Sequence, residues 1–243
     1  MTSFNISVKN LKEIIDLLGT VVTEAKFVFE QNGLRVKAVD PAHVAMVNLE
    51  VPREAFNDYQ ISGEEQMAID LDRVKKVMRL VTAGTHISAI RHKDKLEFEI
   101  GTVNKKITLL DDGAISVPKV PQISSESYVV IRKQYFEMGL KAAEDVSDSI
   151  RLTLRPDQFS ARSLSDSEES ELVLQKDMIS DISCAEEVSC SYPLEYLLKL
   201  IKSLSTAEEI KLSFKNDYPL VISFEFGQDG NMTGEFLLAP RAE

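Results

Sequence analysis

The apolar and polar positions of residues 1–50 recur, without a gap, in residues 126–175. The strand-like and helix-like spacings are kept, while most residue identities are not. Such a pattern is typical of two domains that share one fold, and it predicts a chain built by repetition. Corresponding apolar positions, each 125 residues apart, include Phe4 with Val129, Ile6 with Ile131, Leu11 with Phe136, Phe27 with Leu152, Leu34 with Phe159 and Val47 with Leu172.

Four stretches carry an apolar stripe at the three- to four-residue spacing of an amphipathic helix. They are residues 9–20, 72–80, 133–146 and 193–205. Between them, segments of alternating polarity such as 34–38 and 96–100 predict half-buried antiparallel strands, and turn-forming pairs such as Asn216-Asp217 separate these strands. The sequence therefore predicts an α+β fold of two similar domains, in which helices pack on antiparallel sheets.

Residues 111–127 contain two prolines and four serines, and they show no helical periodicity. They lie between the two copies of the repeated pattern. We therefore predict an interdomain linker that runs extended along the surface, with one domain at 1–110 and the other at 128–243.

The composition narrows the class of protein. Apolar residues make up 44% of the chain and charged residues 28%, as in a soluble globular protein. No stretch is apolar over the roughly 18 residues that a membrane span needs, and no leader-like segment opens the chain. We expect a protein of the cytosol, or of the nucleus in a eukaryote, that does not bind membranes.

The residue types that usually bind metals or act in catalysis form no recognisable motif in this sequence. Cys184 and Cys190 have no further Cys or His at metal-ligand spacing, and His43, His86 and His92 form no ligand motif. The motifs of a nucleophile elbow, a phosphate-binding loop and a dinucleotide fold are absent from the sequence. The sequence therefore favours a protein without a metal, a cofactor or a catalytic site.

The net charge of −11 argues by itself against a nucleic-acid partner, because phosphates are neutralised by Lys and Arg. The charge is unevenly distributed, however. Residues 72–80 carry a net charge of +3, and every predicted helix has at least one Lys on the face opposite its apolar stripe. If the four helices share a surface, a mildly positive lining within an acidic protein suits sliding contact with phosphates.

Two segments identify a family. Residues 39–47, VDPAHVAMV, resemble the D-x-x-H-V-A-x-V segment of the sliding clamp family of proliferating cell nuclear antigen, and residues 235–241, EFLLAPR, resemble its Y-L-A-P-[KR] C-terminus. The similarity spans the chain and is closest to archaeal members. It implies a DNA-clamp fold, a ring of three two-domain chains with helices inside, and a processivity factor for DNA replication and repair. It also implies an association with the archaeal nucleoid.

The resemblance implies that duplex DNA threads the ring and is contacted without regard to sequence. Basic positions of the family fall on Lys12, Lys76, Arg79, Lys141 and Lys202. Helix geometry alone adds Lys9, Lys75 and Lys199. The chain departs from the family pattern at Glu137, Met138 and Glu144, which make the third helix less basic.

The resemblance also implies a pocket for clamp-binding peptides of DNA polymerase, the clamp loader, flap endonuclease and DNA ligase. These peptides carry a glutamine followed by aliphatic and aromatic anchors. The matching positions are Val39, His43, Val44, Met46, Ile123, Pro219, Leu237, Ala239 and Pro240.

Ring closure needs a sheet edge at each end of the chain. We predict a homotrimer in which a strand around Lys105, Ile107 and Leu109 pairs with a strand around Leu172, Leu174 and Ile179 of the next copy.

Three alternatives remain open at this stage. The chain could be one subunit of a heterotrimeric clamp. It could be an enzyme whose site is built from Asp166, Glu168, Glu169 and Glu171, although this cluster is more typical of a solvated hairpin. It could also be an interaction scaffold that does not touch DNA, in which case the helix lysines would be dispensable.

Overall fold

The structure is a computed structural model, and it describes residues 2–81, 86–111, 113, 115–119 and 125–241. The chain divides into two compact units. The first comprises Met1–Val120 and Phe226–Gly234, and the second comprises Pro121–Glu225 and Glu235–Glu243.

The N-terminal half supplies most of the first unit. Its helices are α1 (Val8–Leu18) and α2 (Leu71–Met78). Its strands are β1 (Ser3–Ser7), β2 (Glu24–Glu30), β3 (Gly33–Val39), β4 (Ala45–Pro52), β5 (Phe56–Gln60), β6 (Glu65–Asp70), β7 (His86–His92), β8 (Lys95–Ile100) and β9 (Val103–Thr108). These strands pair antiparallel in the orders β5-β1-β7-β8-β9 and β4-β3-β2-β6.

The C-terminal half supplies most of the second unit. Its helices are α3 (Lys133–Ala143) and α4 (Leu194–Ser203). Its strands are β10 (Tyr128–Arg132), β11 (Ser149–Arg155), β12 (Gln158–Leu164), β13 (Glu169–Gln175), β14 (Asp181–Ser183), β15 (Val188–Pro193), β16 (Glu209–Ser213), β17 (Leu220–Phe226) and β18 (Met232–Leu238). Within the unit, antiparallel pairing gives the orders β14-β10-β16-β17 and β13-β12-β11-β15.

The predicted repeat is confirmed by the bounds of the elements. Strand β10, helix α3 and strands β11 and β12 begin and end 125 residues after β1, α1, β2 and β3, respectively. Because the shift is the same for all four elements, the first half of each unit has kept its turns at the same length. The prediction of an α+β fold with two similar domains is therefore correct.

The four predicted helices are also confirmed, and local residues explain where the first two begin. The Ser7 hydroxyl accepts a hydrogen bond from the Asn10 N–H, and the Asp70 carboxylate accepts from the N–H groups of Asp72 and Arg73. Such N-caps satisfy donors that a helix leaves unpaired. Helices α3 and α4 have no side-chain cap, and the burial of their apolar residues stabilises them instead.

Each helix ends two or three residues before the predicted bound. At every end an apolar residue continues the helical stripe, but its N–H bonds to the carbonyl three residues back rather than four, which tightens the last turn. These residues are Val21, Val81, Val146 and Leu204. The apolar stripe therefore predicts burial beyond the helix end without predicting the backbone conformation.

One turn from the far end of the chain belongs to the first unit. The Glu13 carboxylate accepts from the Gly227 N–H at 3.1 Å, and the Asn10 side-chain oxygen accepts from the Gln228 N–H at 3.1 Å. Both acceptors lie on α1 and are buried. Gly227 has φ 89°, and a Cβ there would collide with the Met232 side chain, so this turn requires glycine.

Candidate nucleic-acid interface and partner sites

The buried stripes of the helices determine which side chains face outward. In α1, for example, Ile14, Leu17 and Leu18 are fully buried against the first unit. The predicted cations lie on the opposite faces of the four helices or directly after α2. All are exposed except Lys75, which is half-buried: Lys9, Lys12, Lys75, Lys76, Arg79, Lys141, Lys199 and Lys202.

Within each unit the two helices lie side by side. In the first unit, α1 ends against α2, because a Cβ placed on Gly19 would lie 2.9 Å from the Lys75 Nζ. Helices α3 and α4 also contact one another in the second unit. Each unit therefore presents its helix cations together on one side.

Four of the predicted cations are paired with a carboxylate of their own helix. Lys12 lies 2.5 Å from Asp16, Lys141 lies 2.8 Å from Glu137, Lys199 lies 2.5 Å from Glu195, and Lys75 lies 3.6 Å from Asp72. The spacing is three or four residues, which brings side chains together on a helix surface. At distances well beyond their separation, the fields of the two charges in each pair largely cancel.

Glu137 is the most strongly paired of these carboxylates. It receives hydrogen bonds from Lys133, at 2.7 Å, as well as from Lys141. The two bonds, that from Lys133 foremost, lower the pKa of the Glu137 carboxyl below its usual value. The sequence identified Glu137 as a departure from the family pattern, and the structure shows that this one carboxylate is shared by two lysines, which leaves the three groups with a net charge of +1.

The remaining cations have a different environment. Among the described residues, no carboxylate lies within 4 Å of the side-chain nitrogens of Lys9, Lys76, Arg79 or Lys202. Lys76 and Arg79 lie three residues apart, so the C-terminal end of α2 presents two unpaired positive charges next to each other. This end of α2 is the most basic part of the described helix surface.

The predicted peptide-binding residues of the first unit lie at the β3–β4 loop. The buried Asp40 carboxylate accepts from the Val44 N–H at 2.7 Å and the Ala45 N–H at 2.8 Å. His43 has φ 56° and an exposed side chain, while Val39, Val44 and Met46 are half-buried. Asp40 therefore fixes the loop, a role that sequence reasoning missed although the Asp40-Pro41 pair signals a turn.

The corresponding residues of the second unit lie at the start of β17 and around the end of β18. Pro219, Ala239 and Pro240 are half-buried, and Leu237 is buried. The segment after β18 is held in place because the Arg241 N–H donates to the Ser191 carbonyl at 2.8 Å and the Arg241 guanidinium lies 2.7 Å from Asp148. Ile123 lies outside the described residues.

The predicted subunit-interface strands lie at the ends of their sheets. Strand β9 ends the order β5-β1-β7-β8-β9, and β13 begins the order β13-β12-β11-β15. Within the described part of the chain, no strand pairs with the outer side of either one. Each edge also carries an exposed valine, Val103 at 50% and Val173 at 39% exposure. Both edges are therefore available to pair with another chain.

The side chains of these edges divide into two groups. Ile107 and Leu174 are buried within their own units, so only their backbone is available to a partner. Leu172 packs over Gly139 of α3, Leu109 follows β9 and donates its N–H to the Asp94 carbonyl, and Ile179 is half-buried. The exposed charges are Lys105 and Lys106 on β9, and Glu169 and Glu171 on β13.

The acidic hairpin between β12 and β13 is tied by its own contacts. The Arg162 guanidinium lies 2.7 Å from Glu169, and the Ser165 hydroxyl accepts from the Glu168 N–H at 3.0 Å. Asp166 and Glu171 are exposed. Over the part of the chain that the structure describes, no group of three or more His, Cys, Asp or Glu side chains could hold a metal ion, and no helix is long and apolar enough to cross a membrane.

Comparison with known proteins gives a consistent result. Residues 5–111 match the family model of the proliferating cell nuclear antigen N-terminal domain, and residues 141–241 match that of its C-terminal domain. The chain is 54% identical over 245 residues to a DNA polymerase sliding clamp of Thermoplasma acidophilum, with 100% of both chains covered. It is 56% identical over 244 residues to the sliding clamp of Picrophilus torridus, again over 100% of both.

Solved structures share the fold over the whole chain. The structure of the C-terminal region of FEN-1 bound to A. fulgidus PCNA matches with a TM-score of 0.93 and 24% identity, covering 100% of this chain and 99% of that one. The PCNA of Thermococcus kodakaraensis matches with a TM-score of 0.90 and 25% identity, covering 99% and 100%.

Proposed function

Because the chain belongs to the proliferating cell nuclear antigen family, we propose that it is a DNA sliding clamp, which encircles duplex DNA and tethers DNA polymerase to it as a processivity factor. The observation that carries this proposal is the set of outward-facing cations on all four helices of a twice-repeated unit. The binding is independent of sequence, since exposed Lys and Arg side chains recognise phosphates rather than bases.

The ring is a homotrimer closed through the β9 and β13 edges. Lys105 on one edge and Glu171 on the other are opposite in charge, whereas Lys106 and Glu169 are already paired with Glu97 and Arg162. Val103 and Val173 supply apolar contact. These features favour pairing of one copy with the next over pairing of like edges. The clamp domains span 1–110 and 128–243, joined by the linker 111–127; the family-model matches over residues 5–111 and 141–241 support the presence of two domains.

The loop fixed by Asp40 and the segment around Arg241 provide the docking positions for peptides. They serve DNA polymerase, the clamp loader, flap endonuclease and DNA ligase; the structure of a related PCNA bound to the C-terminal region of FEN-1 supports the flap endonuclease among these partners. The clamp itself performs no catalysis and acts in the cytoplasm at the nucleoid, as its archaeal relatives suggest.

Retention on circular DNA tests this function. We expect the chain, loaded by its clamp loader onto a nicked circular plasmid, to remain bound through gel filtration and to be lost once the plasmid is cut to a linear form. The native mass of the free protein should be that of three copies. Equal loss from circular and linear DNA would refute encirclement, and a monomeric mass would favour a clamp that needs different subunits.

A further inference from the structure

We infer that two helix carboxylates, Asp16 and Glu137, lower the affinity of the ring for DNA and thereby increase its rate of diffusion along the duplex. This inference rests on the proposed function, since it requires the helix faces to meet the duplex. It concerns acidic side chains that do not bind DNA themselves but determine how many lysines are available to phosphates.

The repeat shows that a neutral pair is kept at one place in both units. With the 125-residue shift, Lys12 corresponds to Glu137, and Asp16 corresponds to Lys141. The ion pair is therefore present in α1 and in α3, at 2.5 Å and 2.8 Å, but with acid and base exchanged. What the two units share at this place is a carboxylate bound to the lysine four residues away, whichever position supplies the acid; in α3, Lys133 is a second lysine on the same carboxylate.

Helix stability does not explain Asp16. It lies in the last turn of α1, where the helix dipole disfavours a negative charge. An exposed pair at this spacing also contributes little to folding. Glu195 differs in this respect, because it lies in the first turn of α4, where a carboxylate is favoured whatever its partner. Asp16 is therefore the clearer case of a carboxylate that helix stability does not account for.

The effect on DNA binding follows from the position of the charge. A carboxylate within 3 Å of a lysine nitrogen opposes the field of that lysine at the distance of a phosphate. At physiological salt, charges more than about 8 Å away are screened, so the local pair decides the interaction. Glu137 acts on Lys133 and Lys141 together.

The test replaces each carboxylate by its amide and measures the salt dependence of DNA binding. For Asp16→Asn together with Glu137→Gln, we expect the affinity of the ring for duplex DNA to rise on the order of tenfold at low salt. The slope of log affinity against log salt should steepen by between about one and about five, because each new phosphate contact adds about 0.9 and the three copies of the ring together lose six carboxylates. Diffusion along stretched DNA should slow several-fold.

The matched control is Glu187→Gln. Glu187 lies 2.6 Å from Arg155 in an exposed pair away from the helices, so the change in net charge is the same for each residue replaced. We expect wild-type affinity and slope for this variant, and also for Asp16→Glu, which keeps the charge. If Glu187→Gln raised affinity as much as Asp16→Asn, net charge rather than the helix pairs would be responsible, and the inference would fail.

A double-mutant cycle isolates the pair itself. We expect Lys12→Gln to weaken DNA binding less in the wild type than in the Asp16→Asn background, where Lys12 is free to reach phosphates. Should Glu137→Gln lower the native mass or the melting temperature, Asp16→Asn alone carries the test. If the wild-type ring stays on circular DNA and the amide variants have wild-type affinity and slope, only this inference is wrong. A wild-type ring that is not retained overturns the proposed function as well.

Discussion

A single buried carboxylate organises the loop that contains His43 and Val44. Asp40 accepts two backbone N–H groups, which holds His43 in a left-handed conformation that non-glycine residues rarely adopt. The half-buried Val44 side chain is thereby held at the surface without being drawn into the core. This arrangement suits a preformed contact for a partner peptide.

We predict that Val44→Asp weakens the binding of a clamp-binding peptide by about 2 kcal/mol, the size of losing a buried anchor. Titration calorimetry measures the affinity, and native mass shows that the assembly is intact. Deletion of Ala239 and Pro240 should have an effect of similar size. Wild-type affinity in both variants would exclude these positions from the docking site.

The pKa of Glu137 gives a prediction on stability against pH. Because Lys133 and Lys141 lower the pKa of this carboxyl in the folded protein, its contribution to stability is present above the unfolded pKa and lost as the pH falls through the folded one. We expect the wild type to lose more stability than Glu137→Gln on acidification from about pH 5 to about pH 3. The difference should stay below about 1 kcal/mol, because the pair is partly exposed to solvent. Denaturant titrations at several pH values measure it, and parallel curves would contradict the assignment.

At the scale of elements, helix α2 carries the most concentrated positive charge. Lys76 and Arg79 have no carboxylate partner among the described residues, in contrast to the paired lysines of α1 and α3. Their free charges are available to phosphates without displacing a neighbouring acid.

Replacing Lys76 and Arg79 together by Glu should therefore reduce retention on circular DNA and processive synthesis at least tenfold at low salt, with the fold intact. The matched control is Lys93→Glu with Lys95→Glu, the same charge change in the exposed β7–β8 hairpin. Primer extension across a salt series provides the measurement. Equal losses in both variants would show that net charge, not α2, is responsible.

The sequence predicted the elements well because the spacing of apolar residues is a local property. The ion pairs of α1 and α4 could also have been found, since Lys12 and Asp16, like Glu195 and Lys199, lie four residues apart. The contact of Glu13 with Gly227 could not have been found in this way. It joins residues more than two hundred positions apart, and Glu13 has the same local pattern as a solvated helix acid.

At the scale of the whole molecule, we expect the unpaired edges of β9 and β13 to determine assembly. A long exposed edge with an apolar side chain promotes indiscriminate pairing unless a defined partner covers it. Val103, half exposed on β9, is the most accessible apolar residue of that edge.

We predict that Val103→Asp shifts the protein from trimer to monomer at low micromolar concentration, because it places an acid opposite an edge that already carries Glu169 and Glu171. Asn57→Asp is the control, since it adds the same charge to β5, at the opposite end of the same sheet. Light scattering distinguishes the two. A trimeric Val103→Asp variant would place the subunit contact elsewhere.

The turn at Gly227 and Gln228 also has a consequence for the order in which the chain can fold during translation. The ribosome releases residues 8–18 long before residues 226–234, yet Glu13 and Asn10 use the later segment as hydrogen-bond donors. The first unit is therefore completed only after residues 226–234 have been synthesised, although domains usually fold in order of emergence. A nascent chain stalled after the first half lacks the Gly227 and Gln228 N–H donors of this turn, and it is in this interval that a chaperone would be needed most.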